Sequence, residues 1–168
     1  DLTGTTGQLT GLQSDEFDGE YVLRMQSIAD GFSVSNSVLH AGQSGGLFAF
    51  MCEDILLTNL TVHGAPAIDL DESSGVLQNI VLEGETSGVG LTIRHGLSEP
   101  VHAETVQITG YSVGVKLHAH DFEDPVPVVM SNVSVTSVEA ISAEFFDLRI
   151  ESSTLIGDLS IASSTVNA

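Results

Sequence analysis

Tryptophan is absent from these 168 residues, tyrosine occurs twice and aromatic residues make up only 5%, so the core cannot be built on large rings. Aliphatic side chains must fill it, and with 42% hydrophobic residues there are enough of them for a single domain. Basic residues are nearly as scarce. Lys116, Arg24, Arg94 and Arg149 stand against 23 acidic residues, giving a formal net charge of -19. A surface this negative lacks the positive footprint that nucleic acid or anionic lipid requires, so neither partner class is expected. Cys52 is the single cysteine, which rules out an intramolecular disulfide and reads as a small buried hydrophobe. No apolar run approaches the roughly 18 residues of a spanning helix, so membrane insertion is not expected. The opening Asp1-Leu2-Thr3 lacks the basic and apolar regions of a signal peptide, as expected of a mature or excised domain. The acidity suits a saline or calcium-rich setting in which cations screen self-repulsion. An extracellular or cell-surface protein from a marine or halophilic source is therefore expected.

What the sequence does contain is a repeat. Asn36, Asn59, Asn79 and Asn132 each precede a short alternating run, and Thr105 and Ser152 occupy the same place in two further copies. The resulting spacing of 20 to 27 residues is a solenoid period. Two and four residues before the marker lie inward-facing pairs such as Ile55/Leu57 and Val128/Met130. One and three residues after it lie a second set, such as Leu60/Val62 and Val133/Val135, so two strands meet at a bend on the marker. A third pair follows a variable loop: Phe48/Phe50, Ile68/Leu70, Leu91/Ile93, Val115/Leu117, Ile141/Ala143 and Leu159/Ile161. The gaps are rich in Gly and Ser and carry no 3.6-residue period, so no helix is available to cross between parallel strands. The strands must stack coil on coil.

These asparagines and the three strands per coil resemble the right-handed parallel β-helix proteins of the pectate-lyase-like superfamily, across about residues 20 to 168. The resemblance implies an all-β, right-handed parallel β-helix of about six to seven coils, with three parallel sheets and a partial internal asparagine ladder. Asn tolerates the left-handed backbone of such a bend, and its amide can bond the neighbouring rung about 4.8 Å away. Residues 1 to 19 fit the period poorly and read as an irregular first coil or cap. Asn59-Leu60-Thr61 and Asn132-Val133-Ser134 match the glycosylation sequon, but ladder residues are expected inside, which argues against modification. The end at Ser164-Thr165-Val166 shows no capping helix, so an open sheet edge inviting end-to-end or edge association is expected.

Chemistry, if present, belongs on the outward positions of the third sheet. One expected column runs Ala49, Asp69, Thr92, Lys116, Ser142, Ser160 and the other Arg24, Met51, Asp71, Arg94, His118, Glu144. Saccharide-cleaving members of the resembling superfamily use this sheet, which makes Lys116, His118, Arg94, Asp69 and Asp71 the candidate catalytic set. Lys116 or His118 would act as base and Arg94 as neutraliser of a substrate carboxylate. The competing reading is a ladder in which Asp71 pairs with Arg94 and His118 with Glu144.

His40, His63 and Glu83 share one position in three successive coils and are candidate transition-metal ligands, as are His118 and His120. Asp121, Glu123 and Asp124 form an acidic loop suited to Ca2+, and no other cofactor is implied. No nucleophile elbow, phosphate loop or metalloprotease motif occurs. Most Phe are expected inward, which would deprive a lectin of its usual aromatic anchor. The expectation is a non-catalytic extracellular or cell-surface module, a spacer or adhesion element touching polysaccharide or other surface proteins. The alternative is a polysaccharide lyase, epimerase or hydrolase.

Overall fold

In a computed structural model of the chain, residues 1–168 are described except 5, 16–18, 30, 42–44, 86, 95–98, 120–125, 163 and 168. The described residues contain strands and no helix. Three short strands open the chain, β1 (Leu2–Thr3), β2 (Gly7–Thr10) and β3 (Gln13–Ser14), followed by β4 (Tyr21–Ile28), the first full strand of the third sheet. The first and second strands of a coil then run together around a bend as β5 (Phe32–His40), followed by the third strand β6 (Gly45–Cys52). The unit repeats as β7 (Ile55–His63) with β8 (Ile68–Asp71), and as β9 (Gly75–Glu83) with β10 (Val89–Arg94). All three strands of the next coil merge into β11 (Val101–His118). After β12 (Val126–Ser131) come β13 (Ser134–Glu144), β14 (Phe146–Glu151), β15 (Thr154–Ala162) and β16 (Thr165–Asn167).

Every strand pairing is parallel and joins one coil to the next, as in β5 to β7 to β9 to β11. The chain is therefore an all-β parallel β-helix. Its core is a set of aliphatic columns: Leu57, Leu77, Val62, Leu82, Ile68 and Leu70 are all 0% exposed. Alternation explains this directly, because each second residue points into the coil and is covered by its counterparts above and below.

The six marker residues do form one bend. Asn36, Asn59, Asn79, Thr105, Asn132 and Ser152 have φ of 50, 53, 55, 56, 52 and 49°. Their side chains, however, lie outside. Leu57 is buried, Asn59 is exposed and Leu60 is buried again, so the left-handed residue adds one position to the corner and two successive side chains face solvent. The expected internal ladder is thus external. Asn59 Nδ2 donates to Asn36 Oδ1 at 3.1 Å and Asn79 Nδ2 donates to Asn59 Oδ1 at 3.2 Å, all at exposed residues.

The interior polar brace at the corners is serine. Ser37, Ser73 and Ser153 each directly follow a left-handed residue. Each hydroxyl donates to the carbonyl two residues back, at 2.8 Å in all three. Each also accepts an amide from the preceding coil, from Leu12 at 3.0 Å, Cys52 at 3.1 Å and Val133 at 3.0 Å. Ser164 repeats the pattern with Ala162 and Phe146. A hydroxyl with one donor and two acceptor sites satisfies two backbone groups at once where the strand ladder is interrupted.

The third sheet departs from the expected register in one coil. Leu47 and Ala49 are fully buried, whereas Phe48 and Phe50 face outward. The run Leu47-Phe48-Ala49-Phe50-Met51-Cys52 is apolar throughout, so period-two reading has no phase to follow there. The paired columns are Arg24, Phe48, Asp69, Thr92, Lys116, Ser142, Ser160 and Gln26, Phe50, Asp71, Arg94, His118, Glu144. Arg24 therefore belongs beside Phe48, and Met51 sits at a left-handed bend with φ 53°.

Candidate functional site

On the outer face of the third sheet, Tyr21, Asp69, Thr92, Arg94, Lys116 and His118 line a groove of about 400 Å3. Its rim is formed by the loop residues Ala65 and Pro66 and by Gly88 and Val89. The parallel register builds it: Arg94 lies opposite Asp71 on one side and His118 on the other, while Thr92 lies between Asp69 and Lys116. All five sequence-derived catalytic candidates thus meet on one face, with Asp71 beside the groove.

Asp69 is the buried centre, 3% exposed. Arg94 grips it through two nitrogens, Nε to Oδ1 at 3.1 Å and a terminal nitrogen to Oδ2 at 2.6 Å. Asp71 stands 3.9 Å from the same guanidinium. Tyr21 donates its hydroxyl to Asp69 Oδ2 at 2.9 Å. Burial, then the adjacent Asp69 charge and this hydrogen bond, push the Tyr21 pKa well above its ordinary value. Partial burial works to lower the pKa of Arg94, but the hydrogen bonds and charge of Asp69 outweigh it and the net shift is upward. The ring of Tyr21 can approach because residue 45 is glycine: a Cβ there would sit 2.2 Å from ring carbons.

Lys116 is exposed and, among the described residues, has no ion-pair or hydrogen-bond partner. His118 Nδ1 lies 3.1 Å from Glu144 Oε2, the pair expected for a ladder. A strip that sequence reasoning missed flanks the groove. Tyr21 stacks on Phe48 with centroids 4.9 Å apart, Phe48 and Phe50 lie parallel at 6.5 Å, and Arg24 lies 5.5 Å over the Phe48 ring. No local signal sets the phase there: Gly45 and Gly46 supply no side chain, and counting back from buried Cys52 fails across the left-handed bend at Met51.

The proposed metal positions fare differently. His40, His63 and Glu83 do share a column. The imidazoles of His40 and His63 stack face to face at 4.4 Å and 5°, and His63 Nδ1 lies 3.4 Å from Glu83 Oε2. Among the described residues no group of three or more His, Cys, Asp or Glu is arranged to hold a metal ion. His120, Asp121, Glu123 and Asp124 lie outside the described residues. Cys52 is free and buried, and burial raises its thiol pKa. Comparison with known proteins finds no family model, no curated protein and no solved structure that matches this chain.

Proposed function

We propose that the chain is a non-catalytic, extracellular or cell-surface β-helix module that acts as a rigid spacer or adhesion element and touches carbohydrate through the third-sheet groove. The observation that carries this reading is the pairing of the groove's carboxylate and imidazole groups. Asp69 is buried under Arg94 and Tyr21, and His118 is engaged by Glu144. A general base must be free to reach a substrate proton, and these carboxylates and this imidazole are already committed to protein partners. The aromatic strip of Tyr21, Phe48 and Phe50 beside polar side chains supports contact with sugar rings. Kinship with the pectate-lyase-like superfamily is part of the same proposal, supported by the asparagine bends and the three-stranded coil. The net charge of -19 supports a saline or calcium-rich setting, with Ca2+ as the cation such a surface would recruit.

A second reading, a polysaccharide lyase, epimerase or hydrolase, is favoured by one observation: Lys116, without an ion-pair partner among the described residues, lines the groove with Arg94. The deciding experiment screens neutral and uronate-containing glycans for binding by calorimetry and for turnover. Turnover is read as new reducing ends, ultraviolet absorbance of an unsaturated product and isotope exchange at C5. Binding without turnover, weakened by Lys116→Ala, is expected. Reproducible turnover lost in Lys116→Ala or His118→Ala would replace the module with the enzyme.

A further inference from the structure

We propose that Asn132 is a site of N-linked glycosylation, and that Asn59, which carries the same acceptor motif, is not. Asn132-Val133-Ser134 and Asn59-Leu60-Thr61 both have the acceptor form, with no proline in the middle position. Facing inward would exclude modification at either, but the corner geometry turns both outward. Asn132 has φ 52° and is exposed, as is Ser134, whereas Val133 between them is 1% exposed. Amide and hydroxyl thus stand on the outer surface, on either side of a residue anchored in the core. The proposal rests on the extracellular reading only for the meeting of the chain with a glycosyltransferase.

What separates the two motifs is what their amides already do. Asn59 stands in the middle of the ladder: its Nδ2 donates to Asn36 Oδ1 at 3.1 Å, and its Oδ1 accepts from Asn79 Nδ2 at 3.2 Å. A sugar on that nitrogen would have to fit within a rung spacing of about 4.8 Å that the Asn36 amide already fills. On the coils either side of Asn132 the corner is held instead by Thr105 and Ser152, shorter side chains at equally left-handed positions. Among the described residues the Asn132 side chain has no hydrogen-bond partner. The adjoining column is Glu104, Ser131 and Glu151, and both carboxylates are turned to partners of their own. Glu104 accepts from Gln78 Nε2 at 3.0 Å, and Glu151 pairs with Arg149. The break in the ladder at Thr105 is therefore what leaves the last amide free.

The transfer is a substitution at the anomeric carbon of a sugar. Asn132 Nδ2 forms a bond to that carbon in an oligosaccharide carried on a polyprenyl diphosphate, and the bond from the carbon to the diphosphate oxygen breaks. The polyprenyl diphosphate leaves with the electron pair, and one amide proton passes to a base of the transferase. The Ser134 hydroxyl is the second element of the acceptor motif. Transfer acts on the chain before its coils close, so both motifs are open to the enzyme and the fold decides which modified chain is native. A glycan on Asn132 projects from the corner into water and leaves the coil pairing intact, including the bond from the Asn132 backbone N–H to the Glu151 carbonyl at 3.1 Å. A glycan on Asn59 displaces the ladder.

Secretion of this chain from a eukaryotic host supplies both the glycosyl donor and the transferase. An unmodified Asn132 there counts against the site alone, and the groove keeps its own test in glycan calorimetry. Peptide mass spectrometry of the secreted, folded protein, after glycan release by an amidase in heavy-oxygen water, should mark residue 132 in most chains and residue 59 in essentially none. Ser134→Ala should remove the glycan without touching the left-handed corner, Ser134→Thr should preserve it, and Thr61→Ala should leave it unchanged. Folding is checked by circular dichroism, and the glycosylated and enzymatically deglycosylated chains should melt alike. An unmodified Asn132 in the folded, secreted chain would overturn the proposal, as would a glycan that survives Ser134→Ala. So would a glycan on Asn59 in the folded chain, which would mean that the ladder amides do not exclude a sugar.

Discussion

The middle coils and the last coil carry the same inward pattern with opposite consequences. Ile68 and Leu70 are 0% exposed, yet Leu159 and Ile161, in the same two columns of the third sheet, are 54% and 41% exposed. Residue type and phase are equal; what differs is whether a further coil covers the position. In a solenoid, burial is a property of the neighbour as much as of the side chain, and stability is close to a sum of coil and interface contributions. The largest test of that contrast is truncation. Leu70→Ala should cost about 2–5 kcal/mol in urea unfolding, as a buried leucine does, whereas Leu159→Ala should cost no more than about 0.5 kcal/mol. Equal losses would mean that the last coil is covered in solution.

The outer face of the third sheet repeats the contrast with charges. The Asp69–Arg94 pair is buried on its acidic side, and the His118–Glu144 pair is half-exposed on both. Asp69→Asn should cost about 1–3 kcal/mol, because it leaves Arg94 with a weaker acceptor and Tyr21 without its charged partner. His118→Ala should fall below about 1 kcal/mol, the usual range for a solvated pair. Tyr21 adds a pH signature. Its pKa is raised on folding, so the folded chain holds that proton more tightly than the unfolded chain does. Its contribution is complete below the ordinary tyrosine value of about 10 and declines as pH rises beyond it. Denaturation curves should show stability falling above that pH, with a shallower fall in Tyr21→Phe.

Serine braces sharpen the comparison between inside and end once more. Ser73 is 0% exposed and supplies the acceptor for the Cys52 amide, so Ser73→Ala should cost about 1–3 kcal/mol by orphaning a buried N–H. Ser153 makes the same two bonds in a more open coil. There water can take over, and Ser153→Ala should cost visibly less in the same assay.

The fold was legible because its signals are local and repeated. Asparagine at a fixed phase, with inward pairs on either side, locates a left-handed corner whether or not the side chain's direction is known, and all six corners have the positive φ this implies. What the pattern could not give was the facing of the corner residue itself, since a single added position reverses it. For the same reason the apolar run from Leu47 to Cys52 was assigned the wrong phase, which hid Phe48 and Phe50 from the site. Asp69, Asp71, Arg94, Lys116 and His118 were legible as a cluster because alternation in their coils is clean. Which of them pair depends on side-chain reach: Arg94 bonds Asp69 across both a rung and a column, a diagonal contact that column reading alone does not provide.

The smallest expected effect separates the two reasons for asparagine at the corner. Asn59 sits at φ 53° and its amide both donates to Asn36 and accepts from Asn79, so backbone strain and ladder bonding are superimposed in the native residue. Asn59→Gly keeps the left-handed corner without steric cost but removes both rungs. Asn59→Ala removes the rungs and adds the strain of a Cβ in that region, about 1–2 kcal/mol for an ordinary residue. Because the amides are exposed, water replaces much of what is lost, and each rung should be worth about 0.5 kcal/mol, the lower end for a hydrogen bond. The alanine variant should therefore lose about 2 kcal/mol and the glycine variant about half of that from the two rungs, with the greater freedom of glycine in the unfolded chain adding to its loss. If the two variants lose equally, bonding between rungs dominates and the outside ladder matters more than its exposure suggests. If glycine is harmless and alanine is not, asparagine is there for its backbone, and the column of amides is a consequence of the repeat.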